Sequence, residues 1–588
     1  MNRQVLPSIT NESRSRMQLS KSKCYRRAAV IMVSGACLLT TSYPLPAHAD
    51  ARSPVQGNPI DTLPKAEAPP SAPVTINVQT QAVDPALQNL LASHLTPSRF
   101  QIAGVKTLPF EQVAALFAPL ANRDTTVAEL LAAANKVTQM YQDQGYPLSF
   151  AFIPAQSFEG NVVVVTVVEG YVKNVKVEGN PGGSEERLKR VAEQLQQDRP
   201  LRRATFERVA GILSLQPGVK IVANVAPPTT TDGAADMVLT VTRRPITVGV
   251  GADYRQPGIR GLLTASTNGL TPLGEQVTVS TLQPSGPQDE KYYAINYVQP
   301  IGTDGLLARL NWSDYRAKPE NSALENIQFQ NRYQTKTVRA GGSLSYPVIL
   351  DNTHNLTVTG GAYAAENTQV YTRSVPVTPM SIQLSSQVRV LSAEVAWTDV
   401  KTSPEKLQQT RQLNVGVYKG VDALGAKREN SNVDLGFTRV TMQAAQSNQL
   451  PGGFGVAVAV GTQYSSNILP TSEQIGFGGK LFGLAYPAGE LAGDKGWGIS
   501  AEINRRFPVS YTYLKSVQPY FLVDHSRIYS NAGPLIHDTL GSVALGVRFS
   551  DGRYYTLDLS LAKPVADVPV NSSSRSPRVN ASYSYQLD

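Results

Sequence analysis

Carboxylates and imidazoles are the side chains here that could do acid–base or metal chemistry, and their spacing offers neither. His94, His354, His525 and His537 are scattered; the last two fall in or beside one loop, without metal-ligand spacing. Residues 420–427, Gly-Val-Asp-Ala-Leu-Gly-Ala-Lys, approach a phosphate loop. They put Ala426 between glycine and lysine, with no Ser/Thr and no helix following, so a turn is expected. No Gly-x-Ser-x-Gly elbow occurs. Glu502 and Asp524 lie on predicted strands that could face each other across an enclosed lumen, where pore polarity accounts for them at least as well as catalysis. The chain is therefore expected to be no enzyme and to use no cofactor or metal.

Those two carboxylates sit in the stretch around which the chain is organised, residues 450–529. Phe454, Val456, Val458, Val460 and Tyr464 share one face of an alternating run, with Gly455, Ala457, Ala459, Gly461 and Gln463 on the other. Period two predicts a strand, and large-apolar against small-or-polar suits a barrel wall between lipid and a crowded lumen. Residues 471–496 are glycine-rich and lack a sustained period, which predicts a long loop. Alternation resumes at Trp497, Ile499, Ala501 and Ile503.

The bulk composition fits such a chain. No apolar run past the N-terminus approaches the roughly 18 residues of a membrane helix, so any crossing must be a closed barrel. Residues 1–49 read as a signal peptide: Lys21, Lys23, Arg26 and Arg27 precede an apolar core, and Ala47-His-Ala49 offers a cleavage site. This leader holds both cysteines, Cys24 and Cys37, and seven basic residues against Glu12 alone. Its excess of six, taken from +9, leaves a mature charge of about +3, no argument for nucleic acid.

Residues 50–97 are expected to form a Pro-rich linker with a short helix over 84–95. Residues 98–170 then read strand, two helices, two strands, and residues 171–243 repeat that order. Such β-α-α-β-β units leave a strand edge open beside a helix, where an unfolded segment can add through backbone hydrogen bonds. From 244 to 588 about 16 strand candidates follow. Residues 316–337, 367–386, 420–432, 471–496, 526–539 and 563–577 are expected as long connections at one end of the cylinder, with short ones between them. Long-outside, short-inside alternation is the pattern of an outer-membrane barrel.

Several phrases carry a resemblance: LPGGF with QYSSNILPTSEQIGFGG, GELAGDKGW, VQPYFLVDHSRIY, GLTPLGEQVTVS, SYPVILDNTHNL and, upstream, YQDQGYPLSFAFIP. Together they resemble the outer-membrane transporters of two-partner secretion, the hemolysin and filamentous-hemagglutinin secretion-activation type. That type belongs to the superfamily of POTRA-bearing barrels. The resemblance implies α+β POTRA domains followed by a transmembrane antiparallel β-barrel of about 16 strands. It also implies export of an unfolded client carrying an N-terminal secretion domain, contact with outer-membrane lipid, and insertion by barrel assembly machinery. An assembly or insertion factor is the alternative. In that family the long loop folds into the lumen, and an Arg-Gly-aromatic tip meets a strand bearing Phe-x-x-Asp. By resemblance the lumenal-loop residues here are Leu484, Ala485, Tyr486 and Asp494, with Phe521 and Asp524 on the strand. Leu484 stands where the family has arginine and Ala485 where it has glycine, so Asp524 requires another partner, with Lys480 and Lys495 as candidates. The last strand ends in Asp588 instead of the family's terminal aromatic.

Overall fold

The computed structural model describes residues 63–64, 76–78 and 91–587, apart from short internal stretches of which 319–330 and 374–379 are the longest. The expected leader and most of the expected linker and helix 84–95 lie outside the described residues.

The first described strand, β1 (Ile76–Val78), joins a sheet far downstream. His94–Leu95 (β2) is a strand rather than the end of a helix, and it pairs with Thr125–Thr126 (β4). Between them lie β3 (Arg99–Ala103) and a helix, Phe110–Ala115. A second helix, Val127–Asp143, starts where Thr126 and Glu129 form a reciprocal capping box, which satisfies two otherwise orphaned N–H groups. Its apolar spacing buries Leu130, Ala134, Val137 and Tyr141 against Val163, Val165 and Val167. Those valines belong to β6 (Val162–Val168), which lies between β3 and β5 (Phe150–Phe152).

The second unit contains β7 (Tyr171–Gly179), helices Glu185–Glu193 and Arg203–Ser214, β8 (Val219–Val225) and β9 (Ala234–Arg243). Its sheet runs in the order β1-β8-β9-β7, over a core that includes Leu188, Val191, Phe206, Ile212 and Leu239. Leu148 of the first unit enters this core. At the junction Glu169 accepts the Lys106 and Thr107 N–H groups at 2.9 and 2.7 Å and the Tyr141 hydroxyl at 2.8 Å.

A closed antiparallel barrel follows. Its first five strands are β10 (Ile246–Arg255), β11 (Gly258–Asn268), β12 (Gln276–Ser285), β13 (Lys291–Ile301) and β14 (Leu306–Ala317). Three long strands come next, β15 (Asn331–Leu350), β16 (His354–Arg373) and β17 (Met380–Thr402). Then come β18 (Gln408–Gly420), a short β19 (Lys427–Glu429), β20 (Thr438–Gln449) and β21 (Phe454–Tyr464). Two small strands, β22 (Ile475–Phe477) and β23 (Leu491–Gly493), pair with each other inside the loop. The wall resumes with β24 (Lys495–Arg505), a short β25 (Phe507–Pro508), β26 (Ser516–Tyr529), β27 (Thr539–Ser550), β28 (Tyr555–Pro564) and β29 (Arg578–Leu587). Leaving the short segments aside, 16 strands form the wall, and β29 closes it against β10 from Val248↔Leu587 to Tyr254↔Ala581.

Alternation sorts the side chains as expected. Phe454, Val458, Trp497, Ile499 and Ile503 lie exposed on the outer surface, and Ala459, Gln463 and Glu502 are buried inside. Two expected long connections are corrected. Among the described residues, 316–317, 331–337, 367–373 and 380–386 are ladder, since β15, β16 and β17 run for 20, 20 and 23 residues. At about 3.4 Å per residue they far exceed an apolar band of about 25 Å, so they rise beyond it. Tyr333, Thr335 and Thr337 keep facing inward there: the two-residue period continues past the membrane, and sequence reading stopped it at membrane thickness.

The second unit is clamped to the barrel's near end. Arg208 donates to the Pro347 carbonyl at 3.2 Å and the Tyr346 hydroxyl at 3.1 Å, and Gln194 donates to the Thr303 carbonyl at 3.0 Å. Arg243 reaches the Gly269 carbonyl at 2.6 Å. Gly211 permits the helix to approach, because a Cβ there would lie 2.6 Å from Leu350 Cγ. Leu63 and Pro64, inside the expected linker, are buried, and Leu63 packs against Leu282, Tyr315 and Ala317 at the far end of the lumen. The N-terminal segment thus has a foothold inside the barrel that its composition did not announce.

Burial opposes ionisation of Glu169, but the N–H and hydroxyl donors outweigh it and hold the carboxyl below its usual range. A carboxyl lowered by folding contributes stability above its unfolded value and loses it as pH falls through the folded one, below the usual carboxyl range. Glu169→Gln is expected to cost about 1 kcal/mol, the low end because the group is partly solvated. Amide-exchange protection at Lys106 and Thr107 checks this: it should fall in the variant at pH 7, and in the wild type on acidification. Unchanged protection in the variant would refute the assignment.

Candidate functional site: the lumenal loop and its anchors

Between β21 and β24 the chain turns inward and fills the far half of the lumen. Phe477, Phe482, Leu484, Ala485, Tyr486 and Leu491 form an apolar core with the inward residues Ala459, Leu522, Ile528, Leu540, Ala544 and Ala562. Small wall residues make room. A Cβ on Gly498 would lie 2.5 Å from the Phe482 ring, and one on Gly461 would lie 2.7 Å from it.

The tip meets the wall mainly through backbone. The Leu484 N–H donates to Asp524 Oδ2 at 2.9 Å, and the Ala485 N–H donates to Ser542 Oγ at 2.9 Å. Asn580 Nδ2 donates to the Leu484 carbonyl at 3.2 Å, and Ser526 Oγ to the Phe482 carbonyl at 2.7 Å. The buried Tyr486 hydroxyl donates to the Asp567 carbonyl at 2.7 Å. An amide dipole thus meets the Asp524 carboxylate, and a backbone donor needs no particular side chain. Neither candidate lysine takes that role: Lys495 donates to Asn531 Oδ1 at 2.8 Å, and Lys480 is exposed.

Asp494, fully buried, closes the loop's end. Its two oxygens accept the Leu469 N–H at 2.7 Å and the Asn531 N–H at 2.6 Å, so two separate connections share one carboxylate. Phe521 is not brought to the site. It is 40 % exposed on the outer surface, because a three-residue step along a strand reverses the face. Glu502 and Asp524 are likewise not opposed across the lumen. They lie on the adjacent strands β24 and β26, two rows apart, in the register Ser500↔Asp524 and Glu502↔Leu522.

Sequence reading missed three buried arginines that order the interior. Arg439 on β20 binds Glu473 of the loop at 2.9 Å, and Glu473 also accepts the Tyr363 hydroxyl at 2.6 Å. The Arg439 guanidinium lies 3.9 Å from the Tyr418 ring centroid. Arg548 forms a bidentate pair with Glu502 at 2.8 and 2.6 Å and reaches Asp558 at 3.0 Å. Arg260 forks onto Asp253 at 3.1 and 3.0 Å and meets Glu290 at 2.7 Å. The signal available was inward parity of each arginine on its strand, but which carboxylate meets it depends on strand register and on where the loop folds. Among the described residues no group of three or more His, Cys, Asp or Glu could hold a metal.

The Glu473–Arg439 pair ties loop to wall on the side away from the tip. Removing one partner of a buried pair leaves an uncompensated charge, so Glu473→Gln is expected to destabilise the seated loop by about 3–5 kcal/mol. Bilayer recordings should show larger or more frequent openings, and the exposed Lys480 should become more sensitive to trypsin, with the barrel itself intact. Asp524→Asn, which keeps the acceptor but not its charge, is expected to act in the same direction by about 1–2 kcal/mol. Closed-state conductance equal to wild type in both variants would count against an anchoring role.

Comparisons with known proteins agree with this architecture. Residues 95–170 match the POTRA domain of ShlB type, and residues 264–549 match the haemolysin secretion/activation protein family ShlB/FhaC/HecB. The heme/hemopexin transporter protein HuxB of Haemophilus influenzae (strain 86-028NP) is 20% identical over 478 residues, covering 77% of this chain and 80% of the relative. The outer membrane transporter CdiB of Escherichia coli is 22% identical over 506 residues, covering 80% and 79%. The solved structure of CdiB from Escherichia coli superposes with a TM-score of 0.58 at 19% identity over 88% of this chain and 94% of that one. A structure of BamA from Haemophilus ducreyi lacking POTRA domains 1–3 gives 0.53 at 14% identity over 84% and 100%. Both structural likenesses are ones of fold; the sequence match lies with the secretion/activation family. A 16-strand barrel with an inward loop, carried above a POTRA domain, places this chain in the haemolysin secretion/activation (ShlB/FhaC/HecB) family, the outer-membrane transporters of two-partner secretion that export client proteins.

Proposed function

We propose that the chain exports one unfolded polypeptide, whose N-terminal secretion segment engages two periplasmic POTRA units at 98–170 and 171–243 before threading the barrel of 244–588. The observation that carries this reading is the nature of the lumen filling. The loop is seated by an apolar cluster, backbone hydrogen bonds and one buried ion pair, all non-covalent and all against the wall. A plug held this way can swing aside and return, whereas a lumen packed by its own wall side chains cannot. Leu484, Ala485, Tyr486, Asp494 and Asp524 form the seat of that plug.

The energetics need no nucleotide. An extended client exchanges water for the polar lumen at little net cost, and its folding outside prevents return. The clamped second unit keeps the client's docking surface at the barrel mouth. The client is an exported polypeptide, as the match to the haemolysin secretion/activation family implies. The barrel's outer band of Leu, Ile, Val and Trp side chains is the surface for outer-membrane lipid. Insertion falls to the barrel assembly machinery after residues 1–49 are removed as a leader.

Deleting residues 98–170 is the test. The barrel should still insert and remain heat-stable, while the polypeptide whose release depends on this chain falls at least tenfold in the medium. Undiminished release would remove the first unit from the pathway. A general drop in many outer-membrane proteins, with release intact, would favour the assembly role.

A further inference from the structure

The outer surface of the barrel carries a polar row where its apolar band ends. Val358 on β16, Val395 on β17 and Val417 on β18 are exposed on that surface, and the two-residue period puts His354, Asp399 and Arg411 on the same face. These three lie side by side across the ladders, in the registers His354↔Asp399 and Asp399↔Arg411. Two residues farther into the band, Leu356, Trp397 and Leu413 form the next outward row; two residues the other way on β17, Lys401 is exposed. The turn beside His354 lies at the end of the barrel to which the second unit is clamped. The row therefore sits among the headgroups of the periplasm-facing leaflet, next to an interfacial tryptophan. Its charges do not satisfy one another. Asp399 is 2 % exposed and gives Oδ1 to His354 Nε2 at 3.0 Å, while its Oδ2 has no hydrogen-bond partner among the described residues. Arg411, directly opposite, is half-buried, and its Nε is buried without an acceptor. The other nitrogen of His354 is held by Thr353 Oγ1 at 2.7 Å, so the ring does not turn to serve either atom. An unmatched acceptor beside an unmatched donor calls for a third group that carries both functions.

We infer that His354, Asp399, Lys401 and Arg411 form a site for the zwitterionic headgroup of phosphatidylethanolamine, with the phosphodiester on Arg411 and Lys401 and the primary ammonium on Asp399 Oδ2. This rests on the lipid-facing reading of the outer band given above and adds a particular headgroup with its own place on the wall. Directly opposed residues of neighbouring strands have Cβ atoms about 5 Å apart, and the two-carbon bridge of ethanolamine sets its phosphate and ammonium at a comparable separation. Charge-assisted hydrogen bonds of both signs then form together. A phosphatidylglycerol headgroup brings the anion but leaves Asp399 without a cation. Choline brings a cation that has no N–H to donate. The acyl chains of the bound lipid run along the apolar rows, past Trp397 and Leu413. Both orphaned atoms are covered, and the side chains able to yield to a headgroup are long ones, Lys401 at the exposed rim and Arg411 itself.

Trp397 is the reporter. The chain has three tryptophans, so Trp312→Phe with Trp497→Phe leaves it as the sole fluorophore of its kind and the site unchanged. This chain is reconstituted in phosphatidylcholine vesicles containing a small fraction of one lipid with brominated acyl chains, which quench tryptophan on contact. Brominated phosphatidylethanolamine should quench at least threefold more than brominated phosphatidylcholine or phosphatidylglycerol at the same fraction. Asp399→Asn and Arg411→Gln should each bring that quenching down to the phosphatidylcholine level, while the barrel keeps the heat-modifiable mobility of a folded one. Equal quenching by the three lipids overturns the inference and leaves the lipid-facing wall standing, as does a preference that persists in both folded variants. No quenching by any of them overturns the lipid-facing reading, and this inference with it. Loss of the preference on adding water-soluble glycerophosphoethanolamine at the same concentration would assign the site to a free phosphate ester and overturn the lipid as its occupant. The comparison among lipids uses the unaltered site, so it decides the matter even where a variant fails to fold.

Discussion

The structure depends on one pairing, the ladder between β10 and β29 that turns a sheet into a cylinder. A membrane offers no water to unpaired N–H and C=O groups, so a lipid-exposed sheet must have no edge. Those two strands lie more than 320 residues apart in sequence, and every other ladder in the wall joins near neighbours. The first and last strands therefore must meet before the wall is complete, and the periplasmic units hang from the first of them. The clamp of the second unit onto the turns between strands then fixes where a client enters relative to the lumen.

Closure creates an interior, and the interior's polarity has to be balanced. Arg260 and Arg548 are each bracketed by two carboxylates, and Arg439 meets the Glu473 carboxylate of the loop. Buried pairs of this kind contribute little net stability but are costly to break singly, so they specify arrangement more than they add strength. One of them, Arg439 with Glu473, joins the wall to the loop. The tip is held differently, by backbone amides on Asp524 and Ser542. The seat thus rests on a chain turn buried in apolar packing and needs no particular side chain at position 484.

Much of this was legible in the residues. Period-two alternation placed most of the wall and the correct faces of β21 and β24, since a lipid-facing strand leaves little freedom in which side chains point outward. The two β-α-α-β-β patterns, read from helical and strand periods, correspond to the observed sheets and helices. Illegible were contacts set by register and by the closing of the chain on itself: the three arginine clusters, the foothold of Leu63 and the addition of β1 to β8. Phe521 shows the opposite failure. A motif grouped it with Asp524, although parity on one strand already assigned them to opposite faces.

Sequence by itself determined that this chain carries α/β units and a lipid-facing wall with a glycine-rich loop, because hydrophobic period and turn chemistry are local properties. Tertiary structure alone decided how far β15, β16 and β17 extend, which carboxylate meets which arginine, and where the loop tip rests. Each of these depends on distances across a closed lumen, which strand register sets and which no local pattern encodes.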